Sequence, residues 1–304
     1  MSAPVFQRVA LLGLGLIGGS IAAAIRQYGL AESVSAFDRS SVALNKGLSL
    51  GLIDEAAESV AQAVTGADLV VIAVPVLAIG EMLRSISAFV SPAAIITDVG
   101  SVKAPVIAAA REFLPRFLPR IVPGHPIAGS ERHGVAAADS ELFLRHKLIL
   151  TPVAETDSDA IERLSAFWEA MGADVVQMSP EHHDAVLAQT SHLPHLLAYA
   201  LVDTLSQQGD SLEIFDYAAG GLRDFSRIAA SDPVMWRDIY QANSGPVLAI
   251  LDRYTQELLA LRTMIKTGQF DALEEVFGRA KFARDHFSKV LSERAEQATL
   301  GDDA

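Results

Sequence analysis

The sequence predicts an α/β N-terminal domain built on a doubly wound parallel sheet, followed by an all-helical C-terminal domain. Short apolar segments alternate with helical patterns as far as residue 178, which is typical of strands and helices that wind a parallel sheet. From Pro180 onward the sequence holds long helical patterns and no convincing strand. We therefore expect one domain at residues 1–179 and a second domain at residues 180–304.

The N-terminal domain is expected to consist of strands that alternate with helices. Each expected strand is a short apolar run, bounded in most cases by glycine, proline or aspartate. The expected strands cover residues 8–12, 34–38, 69–75, 94–100, 118–124, 147–152 and 173–178. The expected helices cover residues 17–27, 76–89 and 160–171.

The C-terminal domain is expected to contain four helical segments. Gly209, the pair Gly220-Gly221 and Gly268 interrupt the helical pattern and mark its breaks. The expected segments cover residues 181–208, 211–219, 233–265 and 270–298. The last segment mixes apolar residues with many charged ones, so we expect it to lie on the outside of the domain, in contact with solvent.

The composition excludes several classes of protein. The chain has 304 residues, half of them apolar, which is enough for two domains with large cores. It has no cysteine, which rules out a disulfide framework and a thiolate metal site, and we expect no metal. No apolar run is long enough to span a membrane, and the N-terminus lacks a secretory cleavage site. The absence of cysteine makes a cytoplasmic location the default expectation. A formal net charge of −13 argues against a nucleic-acid partner, and we expect no membrane partner either.

A glycine-rich motif joins the first expected strand to the first expected helix. Residues 13–18, GLGLIG, match the G-x-G-x-x-G pattern of Rossmann-type dinucleotide-binding domains. Gly13 permits the tight turn, Gly15 lets the backbone approach a pyrophosphate at the helix N-terminus, and Gly18 allows close packing of helix on strand. The residues expected to contact the cofactor here are Gly13, Gly15, Leu16, Ile17 and Gly18.

An acidic residue at the end of the second expected strand indicates which dinucleotide binds. Asp38 lies 20 residues after Gly18, where a carboxylate accepts a hydrogen bond from the adenosine ribose and repels a 2′-phosphate. We therefore expect NAD. NADP stays as the less favoured alternative, because Arg39 and Ser40 would bind a 2′-phosphate if Asp38 turned away. The dipeptide Val74-Pro75 is expected to line the adenosine side of the site, although its proline would also simply end a strand.

Two further polar side chains follow neighbouring strands. Ser101 follows the expected strand at 94–100, and His125 follows the one at 118–124. Ligands of open α/β sheets bind beyond the carboxyl ends of the strands, so we expect a histidine base and a hydroxyl partner in one site. The sequence has no G-x-S-x-G motif, so the serine is not expected to be a nucleophile. A helix N-cap for the serine and an exposed turn for the histidine are the alternatives.

The helical domain contributes a histidine pair at TSHLPH, residues 190–195. Pro194 is expected to bend the helix there and to display His192 and His195. A purely structural role is the alternative for both histidines. The stretch HHD at 182–184 lies nearby, but a metal site is disfavoured because the H-E-x-x-H motif is absent.

The segment GGLRDFSRIAASDPVMWRD, residues 220–238, brings two arginines into the helical domain. A guanidinium group binds a carboxylate through two parallel hydrogen bonds. Arg223 or Arg227 is therefore a candidate anchor for an acidic substrate. Either arginine would equally pair with Asp224 or Asp232.

Taken together, these motifs resemble the bacterial and plant prephenate/arogenate dehydrogenases of tyrosine biosynthesis. The resemblance is carried by GLGLIGGS with Asp38, TDVGSVK, GHPIAGSE, TSHLPH and GLRDFSRIAASDPVMWRDI, in that order, and spans about residues 8–260. The first motif is generic to dinucleotide enzymes, whereas the other four are specific. The resemblance implies NAD-dependent oxidative decarboxylation of prephenate or arogenate, and a homodimer formed through the helical domain.

The resemblance also implies roles for individual residues. His125 resembles the base that takes the proton of the substrate's ring 4-hydroxyl, and Ser101 the serine that hydrogen-bonds to that hydroxyl and orients the histidine. Arg227 resembles the arginine that binds the side-chain carboxylate, and Glu131 the acidic residue at the pocket mouth. The further pocket residues expected are Ser191, His192, His195, Gly220, Met235 and Trp236.

Two other functions and a choice of substrate stay open. A β-hydroxyacid dehydrogenase would share the architecture but use a lysine in the helical domain, and the sequence has no lysine between Lys147 and Lys266. A catalytically silent NAD(H)-sensing regulator is disfavoured by the joint presence of Ser101, His125 and Arg227. We expect prephenate as the main substrate with some use of arogenate, because the arginine meets a carboxylate that both compounds present.

Overall fold

A five-stranded parallel sheet forms the centre of the N-terminal half, as the sequence predicts. The computed structural model describes residues 4–129, 132–207 and 213–300. The strands follow the order β3-β2-β1-β4-β5, so the direction of winding reverses between β1 and β4. The strands are β1 (Phe6–Leu12), β2 (Ala31–Phe37), β3 (Glu55–Ala56), β4 (Leu69–Ile72) and β5 (Ile95–Asp98). Ligands of doubly wound sheets bind at this reversal point, beyond the carboxyl ends of the strands.

Helices cover both faces of this sheet. Successive residues of β1 point to opposite faces, so Val9 and Leu11 belong to one buried cluster and Ala10 and Leu12 to another. The helices of this half are α1 (Leu16–Tyr28), α2 (Ser41–Ser49), α3 (Val60–Val64), α4 (Ile79–Ile86), α5 (Ala104–Phe113) and α6 (Ser158–Glu169). Burial on both faces explains why the strands are continuous apolar runs in the sequence.

A second, three-stranded sheet carries the candidate base. It consists of β6 (Gly124–Pro126), β7 (Lys147–Leu150) and β8 (Asp174–Gln177). The strand β6 runs antiparallel to β7, and β7 runs parallel to β8. A single bridge, between Ile96 and Ile121, connects β5 to the segment before β6. The two sheets therefore place the end of β5 close to the start of β6.

The expected strand at 118–124 is wrong. Residues Pro115–Arg120 form a 3₁₀ helix, and the strand begins only at Gly124. Proline has a fixed φ and no backbone N–H, so Pro115 and Pro119 suit a short turn better than a paired strand. The strand then includes His125, which pairs with Ile149 of β7. The candidate base thus sits on a paired strand and not on a turn.

The strand-free C-terminal half is confirmed for the described residues. Its helices are α7 (Pro180–Leu187), α8 (Leu193–Ser206), α9 (Glu213–Asp216), α10 (Gly220–Ser226), α11 (Pro233–Ala242), α12 (Ser244–Thr267) and α13 (Phe270–Leu300). The structure divides into two compact units, one up to Val247 and one from Leu248 onward. Helices α7 to α11 therefore belong to the same compact unit as the sheets. The boundary between 179 and 180 stays a prediction.

The second unit exposes many large apolar side chains. It holds the rest of α12 and all of α13. The exposed apolar residues are Leu248, Leu258, Leu259, Ile265, Phe270, Phe277, Phe282 and Phe287. Apolar exposure of this extent is unusual for a protein that stays monomeric. Among the helices of the described ranges, none is both long and apolar enough to cross a membrane.

Candidate active site

The loop between β1 and α1 has the geometry that a dinucleotide requires. Gly13 has a φ of +103°, and a Cβ there would lie 2.3 Å from the carbonyl oxygen of Ala73. A Cβ on Gly18 would lie 2.1 Å from the carbonyl oxygen of Gly13, so both positions require glycine. A Cβ on Gly15 would meet no atom within 4 Å, so the loop backbone faces open space there.

The N-terminus of α1 has no acidic residue in its first turn and no side chain that caps it. Its backbone N–H groups and its positive dipole end are therefore available to an anion such as a pyrophosphate. The residues present fit a nicotinamide dinucleotide, and Gly15, Leu16 and Ile17 line the cavity described below.

Asp38 connects the end of β2 to this loop. Its Oδ2 accepts a hydrogen bond from the backbone N–H of Leu14 at 2.8 Å, and its Oδ1 accepts one from Ser40 at 2.7 Å. Each carboxylate oxygen can accept a further bond. Ser40 also caps α2, because its Oγ accepts from the N–H of Ala43 at 3.2 Å, whereas Arg39 is exposed. Asp38 therefore shapes the glycine loop whether or not a ribose is bound.

The dipeptide Val74-Pro75 follows β4. A Cβ on Gly13 would lie 3.2 Å from Cγ1 of Val74, so this valine lies beside the glycine loop. Pro75 precedes the 3₁₀ turn at Val76–Ala78 as its N-cap. A contact of either residue with the adenosine stays a prediction.

A cavity of about 990 Å³ lies in the first unit, beyond the carboxyl ends of the strands. It brings together residues from all five motifs that carry the family resemblance. The predicted site residues that line it are Gly15, Leu16, Ile17, Ser101, His125, His195, Arg227, Met235 and Trp236. The cavity size suits a nicotinamide group together with a small acid.

The serine at this site is not a helix cap. The N-cap of α5 is Lys103, two residues after Ser101. Ser101 therefore lies ahead of the helix, on the wall of the cavity that also holds His125. A hydrogen bond from its hydroxyl to the substrate stays a prediction.

Not every predicted pocket residue lines the cavity. His192 is 1% exposed and lies behind the wall, where its Nδ1 accepts a hydrogen bond from Nδ2 of Asn243 at 3.1 Å. The carbonyl oxygen of Ser191 accepts from Nδ1 of His195 at 2.9 Å, so this residue supports the pocket through its backbone. Gly220 begins α10 and is exposed. Glu131 lies outside the described residues.

A π-helical turn at Ala188–His192 separates α7 from α8. Single π-helical turns occur frequently at functional sites. Pro194 lies in the first turn of α8, directly after the π-helical turn. The segment expected to be helical at 181–208 is helical from Pro180 to Ser206, with this π-helical turn inside it. One histidine of the pair is buried while the other lines the cavity.

His195 forms part of an aromatic wall. Its ring stacks on that of Trp236, with centroids 3.8 Å apart and planes inclined by 25°. Burial lowers the pKa of His195, the hydrogen bond to Ser191 opposes this, and the positive charge of Arg227 lowers the pKa further. With its Nδ1–H donated to that carbonyl, the neutral ring keeps Nε2 as an acceptor.

The surroundings of His125 keep its imidazole in the neutral form. Its Nδ1 lies 2.9 Å from Nε2 of His183. Burial holds the pKa of His125 well below the usual 6.5, and the positive charge of Lys103 lowers it further. A neutral imidazole on the cavity wall can take a proton from a bound hydroxyl group.

Sequence reasoning missed the buried polar cluster behind His125. Lys103 is fully buried; its Nζ donates to the carboxylate of Asp98 and, at 2.7 Å, to the carbonyl oxygen of Gly124. His183 and Asp184 complete the cluster and are 0% and 3% exposed. The residues of this cluster belong to the motif TDVGSVK and to the HHD stretch, both of which the sequence analysis noted. Local sequence patterns do not show that these two segments are in contact.

Comparison with known proteins gives the same assignment for both halves of the chain. Residues 21–177 match the family model for the prephenate dehydrogenase nucleotide-binding domain, and residues 179–279 match the model for the prephenate dehydrogenase dimerization domain. The cyclohexadienyl dehydrogenase of Zymomonas mobilis is 41% identical over 282 residues, which cover 92% of this chain and 96% of the relative. The prephenate dehydrogenase of Bacillus subtilis is 39% identical over 279 residues, which cover 91% of this chain and 75% of the relative.

A solved structure agrees with the sequence relatives. The prephenate dehydrogenase of Aquifex aeolicus, in complex with hydroxyphenyl propionate and NAD+, superposes with a TM-score of 0.85 at 35% identity. The match covers 92% of this chain and 98% of the other. The glycine loop and the neutral histidine of this chain line one cavity, which agrees with these matches. The matches show that the chain belongs to the prephenate dehydrogenase family.

Proposed function

We propose that the protein is an NAD-dependent prephenate dehydrogenase that also makes some use of arogenate. The observation that carries the proposal is one cavity that joins the glycine loop to a neutral histidine and an arginine. Incubation with prephenate and NAD tests it directly, because NADH and 4-hydroxyphenylpyruvate should form in equal amounts. Formation of neither product would contradict it.

A cytoplasmic location and the absence of a nucleic-acid partner stay predictions.

The chain's own residues supply orientation, a base and charge recognition. A bound NAD supplies the acceptor for the hydride that leaves C4 of the substrate ring. His125 takes the proton of the 4-hydroxyl, and Ser101 donates a hydrogen bond to the same oxygen. Loss of the ring carboxylate as CO2 then leaves its electron pair in the ring, which becomes aromatic, and the oxygen regains a proton from His125. Aromatisation provides the driving force, so positioning and a well-placed base suffice.

The side-chain carboxylate of the substrate is assigned to Arg227. This residue lies on the cavity wall together with His195, and its positive charge lowers the pKa of that histidine. Both prephenate and arogenate carry that carboxylate, so the arginine binds both. Prephenate has a keto group on its side chain, whereas arogenate has an ammonium group. We propose that Glu131 distinguishes these two groups.

His125→Asn tests the base. Asparagine keeps some hydrogen bonding but cannot accept the proton, so kcat should fall by about 10²–10⁴-fold. NAD affinity, followed by quenching of protein fluorescence, should change little because the glycine loop is untouched. Near-normal turnover of this variant would remove His125 from the mechanism.

Arg227→Ala tests the anchor. Loss of a charged hydrogen-bonding partner costs about 1.5–3 kcal/mol, so KM should rise roughly 10- to 100-fold for prephenate and for arogenate alike. Arg223→Ala is the matched control, because Arg223 is exposed and pairs with Asp224 at 3.2 Å. Equal effects of the two variants would contradict the assignment.

Asp38→Asn tests cofactor choice. The negative charge of Asp38 should exclude the 2′-phosphate of NADP, and asparagine removes the charge while keeping the side-chain size. Like charges in contact cost several kcal/mol, so the ratio of kcat/KM for NAD to that for NADP should fall by about tenfold or more. Thermal unfolding controls for the two backbone hydrogen bonds that Asp38 accepts. If the wild-type enzyme used NADP with the same kcat/KM as NAD, Asp38 would not select the cofactor.

The second unit is proposed to form a homodimer interface. Its exposed phenylalanines and the match to a dimerization domain support this proposal. Sedimentation at micromolar concentration should give twice the chain mass of 32.4 kDa. The double variant Phe277→Glu/Phe282→Glu should shift the protein toward monomer, whereas Phe89→Glu, at a half-exposed site in the first unit, should not. A wild-type monomer would contradict the proposal.

A further inference from the structure

A chain of hydrogen bonds leads from the candidate base into the protein interior. Nδ1 of His125 lies 2.9 Å from Nε2 of His183, and Nδ1 of His183 lies 2.7 Å from Oδ1 of Asp184. The two imidazole rings meet edge to face, with centroids 5.1 Å apart. His125 lines the cavity, whereas His183 and Asp184 are buried.

Hydrogen-bond chemistry fixes the proton on each ring. The carboxylate of Asp184 accepts three N–H groups: Nδ1 of His183, and the backbone amides of Lys103 and Ala104, both at 2.8 Å. An ionised carboxylate accepts only, so Nδ1 of His183 carries a proton, and in the neutral ring Nε2 then carries none. That Nε2 must accept from Nδ1–H of His125. Nε2 of His125 is therefore left with a lone pair for the cavity.

We propose that His183 is a positioning residue, which with Asp184 holds His125 in the tautomer and orientation that present a basic Nε2 to the substrate. The proposal rests on the proposed function, because it assigns a partner to that reaction's base. When His125 becomes an imidazolium, its Nδ1–H donates to a ring already polarised by a carboxylate. In hydrolytic triads a carboxylate that accepts from Nδ1–H orients the catalytic histidine directly; here an imidazole backed by a carboxylate takes that place.

The charged surroundings of His183 agree with a neutral, orienting ring. Asp98 ends β5, Lys103 lies between β5 and α5, and Asp184 comes from the same helix as His183. His125 faces it from β6 and His192 from the π-helical turn. Burial lowers the pKa of His183 more than the hydrogen bond to Asp184 raises it. The ring therefore stays neutral where it must accept a hydrogen bond.

Two substitutions separate positioning from proton transfer. Glutamine at 183 presents a carbonyl oxygen and an amide N–H at about the spacing of the two ring nitrogens, so it accepts from His125 and donates to Asp184 but carries no proton onward. Leucine offers neither group. We expect His183→Leu to lower kcat about tenfold or more with little change in KM, and His183→Gln to restore most of that loss. His182→Leu is the matched control, because His182 is the exposed neighbour on the same helix.

A spectroscopic readout keeps the test independent of turnover. In ¹⁵N-labelled protein, His125 should show a protonated Nδ1 and an unprotonated Nε2, and this pattern should be lost in His183→Leu and kept in His183→Gln. A His183→Leu enzyme with normal kcat and an unchanged His125 spectrum would overturn the proposal, as would a His183→Gln enzyme as impaired as His183→Leu while both fold normally by thermal unfolding. Failure of the wild-type enzyme to oxidise prephenate would instead refute the proposed function, because the ¹⁵N pattern does not depend on it.

Discussion

The carboxylate of Asp184 is the interaction on which the site depends. The helix α5 begins at a position without a side-chain cap of its own. Asp184, 81 residues further along the chain from Lys103, accepts the first backbone N–H groups of that helix and also holds His183. Its backbone carbonyl accepts from Asn243 at 2.9 Å. One residue thus joins the start of α5, α7 and the end of α11, next to the candidate base.

The buried ion pair of Lys103 and Asp98 provides the second constraint. Two charges taken out of water cost several kcal/mol each unless their attraction and further hydrogen bonds offset the penalty. Here the ammonium group also donates to Gly124, and Asp98 accepts the N–H of Gly100 at 2.8 Å. The pair thereby holds the end of β5 against the start of β6. Its lysine also lowers the pKa of His125, so it links the packing of the strands to the protonation state of this histidine.

Sequence patterns predict the parts of this protein that local chemistry determines. The glycine loop, the main parallel strands and the strand-free C-terminal half follow from short motifs and apolar runs. The same patterns miss α2, α3 and α5, and they place a strand where two prolines favour a 3₁₀ turn. The apparent symmetry of His192 and His195 in the sequence is also misleading, because the π-helical turn buries one ring and exposes the other to the cavity.

The inner part of the site could not be predicted, because its contacts join residues distant in sequence. His125 and His183 are 58 residues apart, and nothing in either local sequence indicates a hydrogen bond between them. The account rests on His125 being a neutral base whose Nε2 is unprotonated. The ¹⁵N spectrum of its ring at pH 7 measures this most directly. The account predicts a protonated Nδ1 and an unprotonated Nε2; a doubly protonated ring, or a proton on Nε2, would contradict it.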